Sequence, residues 1–314
     1  MTCAKKDVAK KLASAISRKD LAEIQEIISS SSLDSSELTE ALVSIKMERS
    51  EKNVLHIAAS GGTVGILTYL MELVLNIQDA INETDTYGFT VLHRAAYEGG
   101  ISNVAYLCGL DGIDVNRRST GGWTPLDRAV FFGKLDCVEY LITKCPNVEI
   151  DCQDNRGCTP LHTAVEKQMW EIVDYLCKKG CNCDIENENG KVPLQIAINK
   201  GNFSRIWPLV VKTTNFDFNH QFSEGNTLLH KAITSNSREA FDYLTQKDNV
   251  KNIKNNDGLT PFDLVVKTEN FPLSKLLQLY SLPGDVEFHD VNRLYRGKKT
   301  LLHIALEEKR QRSS

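Results

Sequence analysis

A chain of 314 residues is long enough for two ordinary domains. Its 41% hydrophobic and 25% charged content is that of a soluble globular protein, and a net charge of −4 excludes the strongly basic footprint of a nucleic-acid binder. The longest apolar run, residues 66–77, contains Glu72 and Asn76 and is too short to span a bilayer, and MTCAKKDVAKK at the start lacks the apolar core of a secretory signal.

From residue 7 to 28 apolar side chains fall at helical spacing: Val8, Leu12, Ala15 and Ile16, then Leu21, Ile24, Ile27 and Ile28. Arg18-Lys19-Asp20 divides the run into two helices. Lys5, Lys6, Lys10, Lys11, Glu23 and Glu26 supply the polar outer side that an end unit needs. Residues 29–36, SSSSLDSS, read as a flexible, solvated insert, and helical spacing resumes over 37–47 through Leu38, Ala41, Leu42 and Ile45. At Asn53, a fair helix cap, a two-helix pattern begins. Its second helix, through Ile66, Leu67, Leu70, Leu73, Val74 and Leu75, is predicted to be longer than its later counterparts.

The clearest unit covers 157–189. Thr159 is an N-cap and Pro160 takes the first helical position, where its missing N–H is not needed. Leu161, Ala164 and Val165 form one apolar stripe; Ile172, Val173 and Leu176 form that of a second helix, which Gly180 stops. Further on, Val192 stands at a cap position, and Pro208 falls within a second helix, predicting a kink or a shortened helix. Glu269 replaces the glycine that usually ends a first helix, and a long tail covers 279–296. Residues 299–310 supply one helix whose Leu301, Leu302, Ile304 and Leu306 lack a covering partner. Either that helix caps the array or the sequence is the front part of a longer protein; the missing polar outer face favours the second.

Two short helices, each apolar on one side, cannot bury both stripes alone and need copies of themselves alongside. The copies share one register: His56, His93, Asp127, His162, Gln195, His230, Asp263 and His303 recur at intervals of 33 to 40 residues. Around them stand NVLHIAA at 53–59, TVLHRAA at 90–96, TPLDRAV at 124–130, TPLHTAV at 159–165, VPLQIAI at 192–198, TLLHKAI at 227–233, TPFDLVV at 260–266 and TLLHIAL at 300–306. Over roughly residues 50–314 the sequence resembles the ankyrin-repeat family, whose signature is T-P-L-H-x-A. The resemblance implies an all-α solenoid of stacked antiparallel helix pairs joined by β-turn or hairpin loops. It implies a degenerate N-terminal helical cap with a Ser-rich insert over 1–52 and about seven repeats over 53–296. The start of a further repeat, or a C-terminal cap, follows over 297–314.

Five of the seven histidines hold the repeat position, and a catalytic histidine has no need of equivalents. In the family this imidazole is a fastener that donates from one nitrogen and accepts at the other. Asp127, Gln195 and Asp263 change the fastener and predict looser junctions. Nine cysteines, an odd number without a secretion signal, predict free thiols in a reducing compartment: the cytoplasm, with the nucleus open as an alternative. Cys177, Cys181 and Cys183 crowd together, but their spacing is not a usual zinc-ligand pairing, and buried cysteine behaves as a small hydrophobe. No metal and no cofactor are expected. There is no G-x-S-x-G, H-E-x-x-H or phosphate-cradling glycine loop, so neither an enzyme nor a small-molecule substrate is expected.

The resemblance implies that partners meet the loop tips and the free side of the first helices. At those positions repeat two offers Tyr87, Phe89, Tyr97 and Glu98, repeat three offers Trp123, Phe131 and Phe132, and repeat four adds Lys167. Six aromatics gather there in a chain that is only 7% aromatic. Aromatic rings are strong anchors, and Arg94 and Arg128 on the same helices are placed to meet an acidic group. The expectation is a scaffold or adaptor holding a protein or peptide on its concave face, with no nucleic acid and no membrane insertion. The alternative is a cis-regulatory segment of a larger enzyme or ion channel.

Overall fold

The computed structural model describes residues 3–46, 52–98, 100–145, 147–199, 205–214, 216–247, 250, 253–268 and 271. Among them there are helices and turns and no strand. The chain forms two compact units, Met1–Pro193 and Leu194–Ser314.

The first unit opens with α1 (Cys3–Arg18), α2 (Leu21–Ser30) and α3 (Ser35–Val43). Ala9, Leu12, Ala15 and Ile16 of α1 are fully buried, and α1 packs on α2, on α3 and on the first helix of the first repeat. The serine-rich stretch is more ordered than its composition predicts. Ser29, Ser30 and Ser31 donate their hydroxyls to the carbonyls of Glu26, Ile27 and Ile28, which extends α2. Asp34 and Glu37 form a reciprocal capping box that starts α3 at Ser35. Only residues 31–34 lie outside helices.

Four helix pairs follow: α4 (Val54–Gly61) with α5 (Val64–Glu72), then α6 (Ile77–Ile81) in the connection, α7 (Val91–Glu98) with α8 (Ile101–Cys108), α9 (Pro125–Phe131) with α10 (Leu135–Lys144), and α11 (Pro160–Glu166) with α12 (Trp170–Lys178). First helices pack on first helices in the order α4, α7, α9, α11, and second helices in the order α5, α8, α10, α12. The first helices are short because the cap and the apolar triplet fill two turns: Thr124 and Thr159 accept the N–H three residues on, each followed by proline. Their Leu-x-x-Ala-Val faces, such as Leu126, Ala129, Val130 and Leu161, Ala164, Val165, are almost wholly buried. Each such leucine contributes about 1.5–3 kcal/mol by burial. The second helix of the first repeat is shorter than its apolar run predicts. It ends at Glu72, and Leu75 is 67% exposed beyond it, because the chain turns into α6.

The loops are built on one device. The carboxylate or amide oxygen of Asp85, Asp154 or Asn187 accepts the N–H groups two and four residues ahead, closing a tight turn. A glycine with positive φ stands in each turn, and a Cβ at Gly88 would lie 2.6 Å from the backbone nitrogen of Thr120. That close approach is what lets Thr120 N–H reach the Tyr87 carbonyl at 3.0 Å; Asn155 to Gly121 and Glu188 to Arg156 repeat it.

The second unit contains nearly all of α13 (Pro193–Asn199), then α14 (Trp207–Lys212), a single 3-10 turn at Ser223–Gly225, α15 (Leu228–Thr234), α16 (Arg238–Leu244) and α17 (Pro261–Thr268). α15 packs on α16 and α17, and Leu228, Leu229, Ala240, Phe241 and Leu244 form its core. Of the two outcomes expected at Pro208, the structure shows the shortened helix and not the kink. The proline stands in the first turn of the six-residue α14, where no intrahelical N–H is lost. Glu269, the tail over 279–296 and the half unit over 299–310 lie outside the described residues.

One expectation needs correcting. The cysteines are not all free thiols: Cys108, ending α8, is bonded to Cys145, just beyond α10, with a Cα–Cα separation of 5.7 Å. Parallel packing of successive second helices brings their C-terminal ends together, and the sequence separation of 37 residues hides that neighbourhood. Cys137, Cys152, Cys158, Cys177, Cys181 and Cys183 take part in no disulfide.

Candidate functional site

Among the described residues, the repeat-position histidines His56, His93, His162 and His230 are fasteners. His93, 0% exposed, takes the Thr90 N–H on Nδ1 at 3.1 Å and meets the Trp123 carbonyl with Nε2 at 2.8 Å. Because Nδ1 accepts, the proton sits on Nε2 and is donated to the next repeat. His162 binds Thr159 and the Lys191 carbonyl in the same way, and His230 in the second unit binds Thr227 and the Leu259 carbonyl. Burial pushes His93 down to about 4, against the smaller opposing pull of the Trp123 carbonyl. None of these rings is placed for proton transfer. His56 differs: both its nitrogens face oxygens, Oδ1 of Asn53 at 2.6 Å and the Phe89 carbonyl at 2.8 Å, which favours the imidazolium. Burial nevertheless pushes its pKa to about 4, and the two tendencies oppose each other there.

Asp127 makes a different junction. Its Oδ2 accepts from Thr124 N–H and Oγ–H, both at 2.8 Å, within its own repeat, and offers no donor to the next. Other bonds cross that junction: Arg118 Nη2 to the Gln153 carbonyl at 2.6 Å, Asn155 Nδ2 to the Thr120 carbonyl at 2.9 Å, and Trp123 Nε1 to Asp154 at 3.3 Å.

The aromatic positions converge. Arg128, on α9 and 9% exposed, sits with its guanidinium carbon 4.4 Å from the centroid of Phe89, 4.8 Å from Phe132, 4.9 Å from Tyr97 and 5.8 Å from Trp123. The rings also touch one another: Tyr97 and Phe132 edge to face at 4.3 Å, Trp123 and Phe131 at 4.8 Å, Phe131 and Phe132 at 5.0 Å. Lys167 places its ammonium 4.1 Å from the Phe131 ring. Tyr87 is 57% exposed and only grazes Phe89, at 6.3 Å between centroids, and Glu98 is exposed at the end of α7. Of the ten residues singled out from the sequence, eight form one cluster, with Tyr87 and Glu98 at its edge.

The two arginines do not share a role. Arg94 is buried and already paired: its Nε and Nη2 both bind Oδ2 of Asp85, whose Oδ1 closes the loop turn. It also lies 5.2 Å from the Phe89 ring, so it braces the loop and is not available to a partner's acid. Arg128 has no ion pair among the described residues, and its Nε is buried without a hydrogen-bond partner. Burial, and then the charge of Arg94, pull its pKa down to about 10, which leaves it protonated at neutral pH. Lys52, also lowered by burial and by Arg94, adds to Arg94, Arg128 and Lys167 a fourth cation that sequence reading passed over. Asp85 was passed over too, because an aspartate in a turn signals only the turn. The cluster therefore holds four cations against one buried carboxylate. It contains no nucleophile with a positioned base.

Among the described residues, no helix is long and apolar enough to cross a membrane. A family model described as "Ankyrin repeats (3 copies)" matches residues 126–214 and 171–257, and one described as "Ankyrin repeats (many copies)" matches residues 92–142. No curated protein matches the chain.

Proposed function

Because the chain belongs to the ankyrin-repeat family, whose members generally serve as protein–protein interaction modules, we propose that it is a non-enzymatic scaffold or adaptor. It grips a peptide segment of a protein partner on the free side of α7, α9 and α11. The observation that carries this reading is Arg128: a protonated guanidinium, nine-tenths buried among four rings, with a bare Nε and no ion pair among the described residues, Asp85 and Glu98 acting on it only at longer range. A cation so placed is costly unless something pairs with it. Aromatic faces supply part of the compensation, roughly 0.5–2 kcal/mol each. A carboxylate supplies far more, through a forked, charge-assisted pair. The half-buried Trp123, Phe131 and Phe132 provide apolar anchorage beside it, as interface centres usually do. The partner segment accordingly carries an Asp or Glu next to a large apolar side chain.

Selection of a displayed random-peptide library on the full chain tests this, with counter-selection on the Trp123→Ala/Phe131→Ala protein. The enriched peptides are expected to share an acidic residue within one or two positions of Leu, Ile, Phe or Trp, and to lose binding to the double variant. Enrichment without any acidic consensus, or peptides that bind the double variant equally well, would overturn the proposal.

A further inference from the structure

Away from the aromatic cluster, three thiols are gathered at the end of α12. Cys177 occupies the last turn of that helix. Gly180, with φ of +83°, reverses the chain, and Cys181 N–H returns to the Leu176 carbonyl at 3.3 Å. Cys181 and Cys183 are thereby folded back against the helix end. The three sulfurs lie within 4.8 Å of one another, all buried, and Cys177 Sγ is 4.0 Å from Cys183 Sγ. The Cys-x3-Cys-x-Cys spacing alone points only to packing; the turn is what turns it into a triangle.

We propose that Cys177, Cys181 and Cys183 bind one thiophilic d10 metal ion, Zn2+ or Cu+, as three thiolates. A metal–sulfur bond of about 2.3 Å sets the sulfur–sulfur edge at about 3.8 Å in a tetrahedral site and about 4.0 Å in a trigonal one. The observed edge already fits the trigonal site, and the others need to close by at most about 0.8 Å for a trigonal site and about 1 Å for a tetrahedral one. Soft sulfur ligands select these two ions over harder ones. The loop is prebuilt: Asn182 N–H is held by both oxygens of Asp151 at 3.0 and 3.1 Å, and Asp184 N–H by Asn182 Oδ1 at 2.9 Å. The same turn recurs after α8, where Asn116 N–H binds Asp114 Oδ1 at 3.1 Å. There the flanking residues are Ile113 and Val115, where this repeat has Cys181 and Cys183. Packing is therefore served by aliphatic side chains, and the replacement of both by sulfur beside a third cysteine calls for another explanation.

Without metal Cys177 and Cys181 are held as thiols. Hydrogen bonding to Cys177 and Cys183, and burial, hold Cys181 far above the ordinary thiol range. Cys177 is pushed up to about 12: its bond to Cys181 pulls downward, but its bond to Cys183 and burial outweigh that. Binding as three thiolates replaces each S–H bond by a metal–sulfur bond, and the displaced protons go to solvent.

The test titrates the reduced full chain with Zn2+, and separately with Cu+ under anaerobic conditions, each against a chromophoric chelator. One equivalent of at least one ion is expected to bind, and the tighter of the two identifies the resident metal. Cys183→Val, which restores the aliphatic pattern of the earlier loop, should keep the helical circular-dichroism spectrum and weaken binding at least a hundredfold; Cys158→Ala should bind as the parent does. A chain that holds neither ion at one equivalent, or a Cys183→Val protein that holds it undiminished, would contradict the site. Cd2+ added to the parent gives a reading independent of any variant's folding: its sulfur-to-metal absorption should have the intensity of three thiolates, and an intensity of fewer than three refutes the assignment.

Discussion

Replacing His93 by alanine should lower the stability of the protein by roughly 3 kcal/mol in urea denaturation, because three buried contacts go at once. The ring is 0% exposed, receives the Thr90 N–H and hydroxyl on Nδ1 and gives Nε2–H to the Trp123 carbonyl. Alanine leaves the N–H and the carbonyl buried and unpaired and opens a cavity between two repeats. Each orphaned group costs about 1–3 kcal/mol, less whatever a trapped water recovers. In a stack whose units contact only their neighbours, that loss falls on the interface between repeats two and three and is felt along the first unit. A loss below 1 kcal/mol would mean that the apolar faces of α7 and α9 hold the junction without the imidazole.

The second large effect is a dependence on pH, with two groups of opposite sign. His93 has its pKa lowered from 6.5 to about 4 by burial, so between those values the unfolded chain binds the proton and the folded one does not. Its contribution is fully present above pH 6.5 and is lost as the pH falls to 4, a change of about 3 kcal/mol. Asp127, at the equivalent position one repeat on, is pushed from 3.8 up to about 7, by burial first, against the two Thr124 donors that favour the carboxylate. Its contribution is full below pH 3.8 and is lost as the pH rises to 7. It is worth up to about 4 kcal/mol and less to the extent that the Thr124 bonds prevail. The two nearly cancel each other, and His56, His162 and His230, lowered by burial in the same direction as His93, set the parent's remaining slope. Asp127→Asn keeps an oxygen for Thr124 and removes the opposing titration, so the variant should lose about 3 kcal/mol more than the parent between pH 7.5 and pH 4. A difference between the two proteins that does not change with pH would show that Asp127 stays ionised in the fold.

Much of the architecture was legible because it repeats. A Thr or Asn cap, an apolar triplet and a His or Asp at one register define α4, α7, α9, α11 and α15 without reference to anything distant. The fastener role of the histidines was legible for the same reason; which nitrogen donates was not, and came from the Thr90 N–H that occupies Nδ1 of His93. What escaped depends on neighbours that the sequence does not place side by side. Leu73, Val74 and Leu75 continue an apolar run but not a helix, because α6 claims the chain. The bond between Cys108 and Cys145 joins the ends of successive second helices, and the three thiols near Gly180 meet only after the turn. In the aromatic cluster the residues were legible and their division of labour was not. Arg94 and Arg128 occupy the same repeat position, and only the fold shows that Asp85 neutralises the first and leaves the second among rings. Whether the Asp127 junction is looser than its neighbours, as its sequence suggests, turns on how far the bonds of Arg118, Asn155 and Trp123 replace the missing histidine.

The binding claim is tested most directly at Arg128 with a selected acidic peptide, whose affinity is measured calorimetrically for the parent and for Arg128→Met. Methionine keeps the contacts with the rings and removes a buried charge, so the thermal midpoint should be unchanged or higher. The affinity should fall at least tenfold, together with most of its dependence on salt. Equal affinity of the two proteins for that peptide would contradict the account, because the caged guanidinium would then be a packing element and the partner's acid would be bound elsewhere.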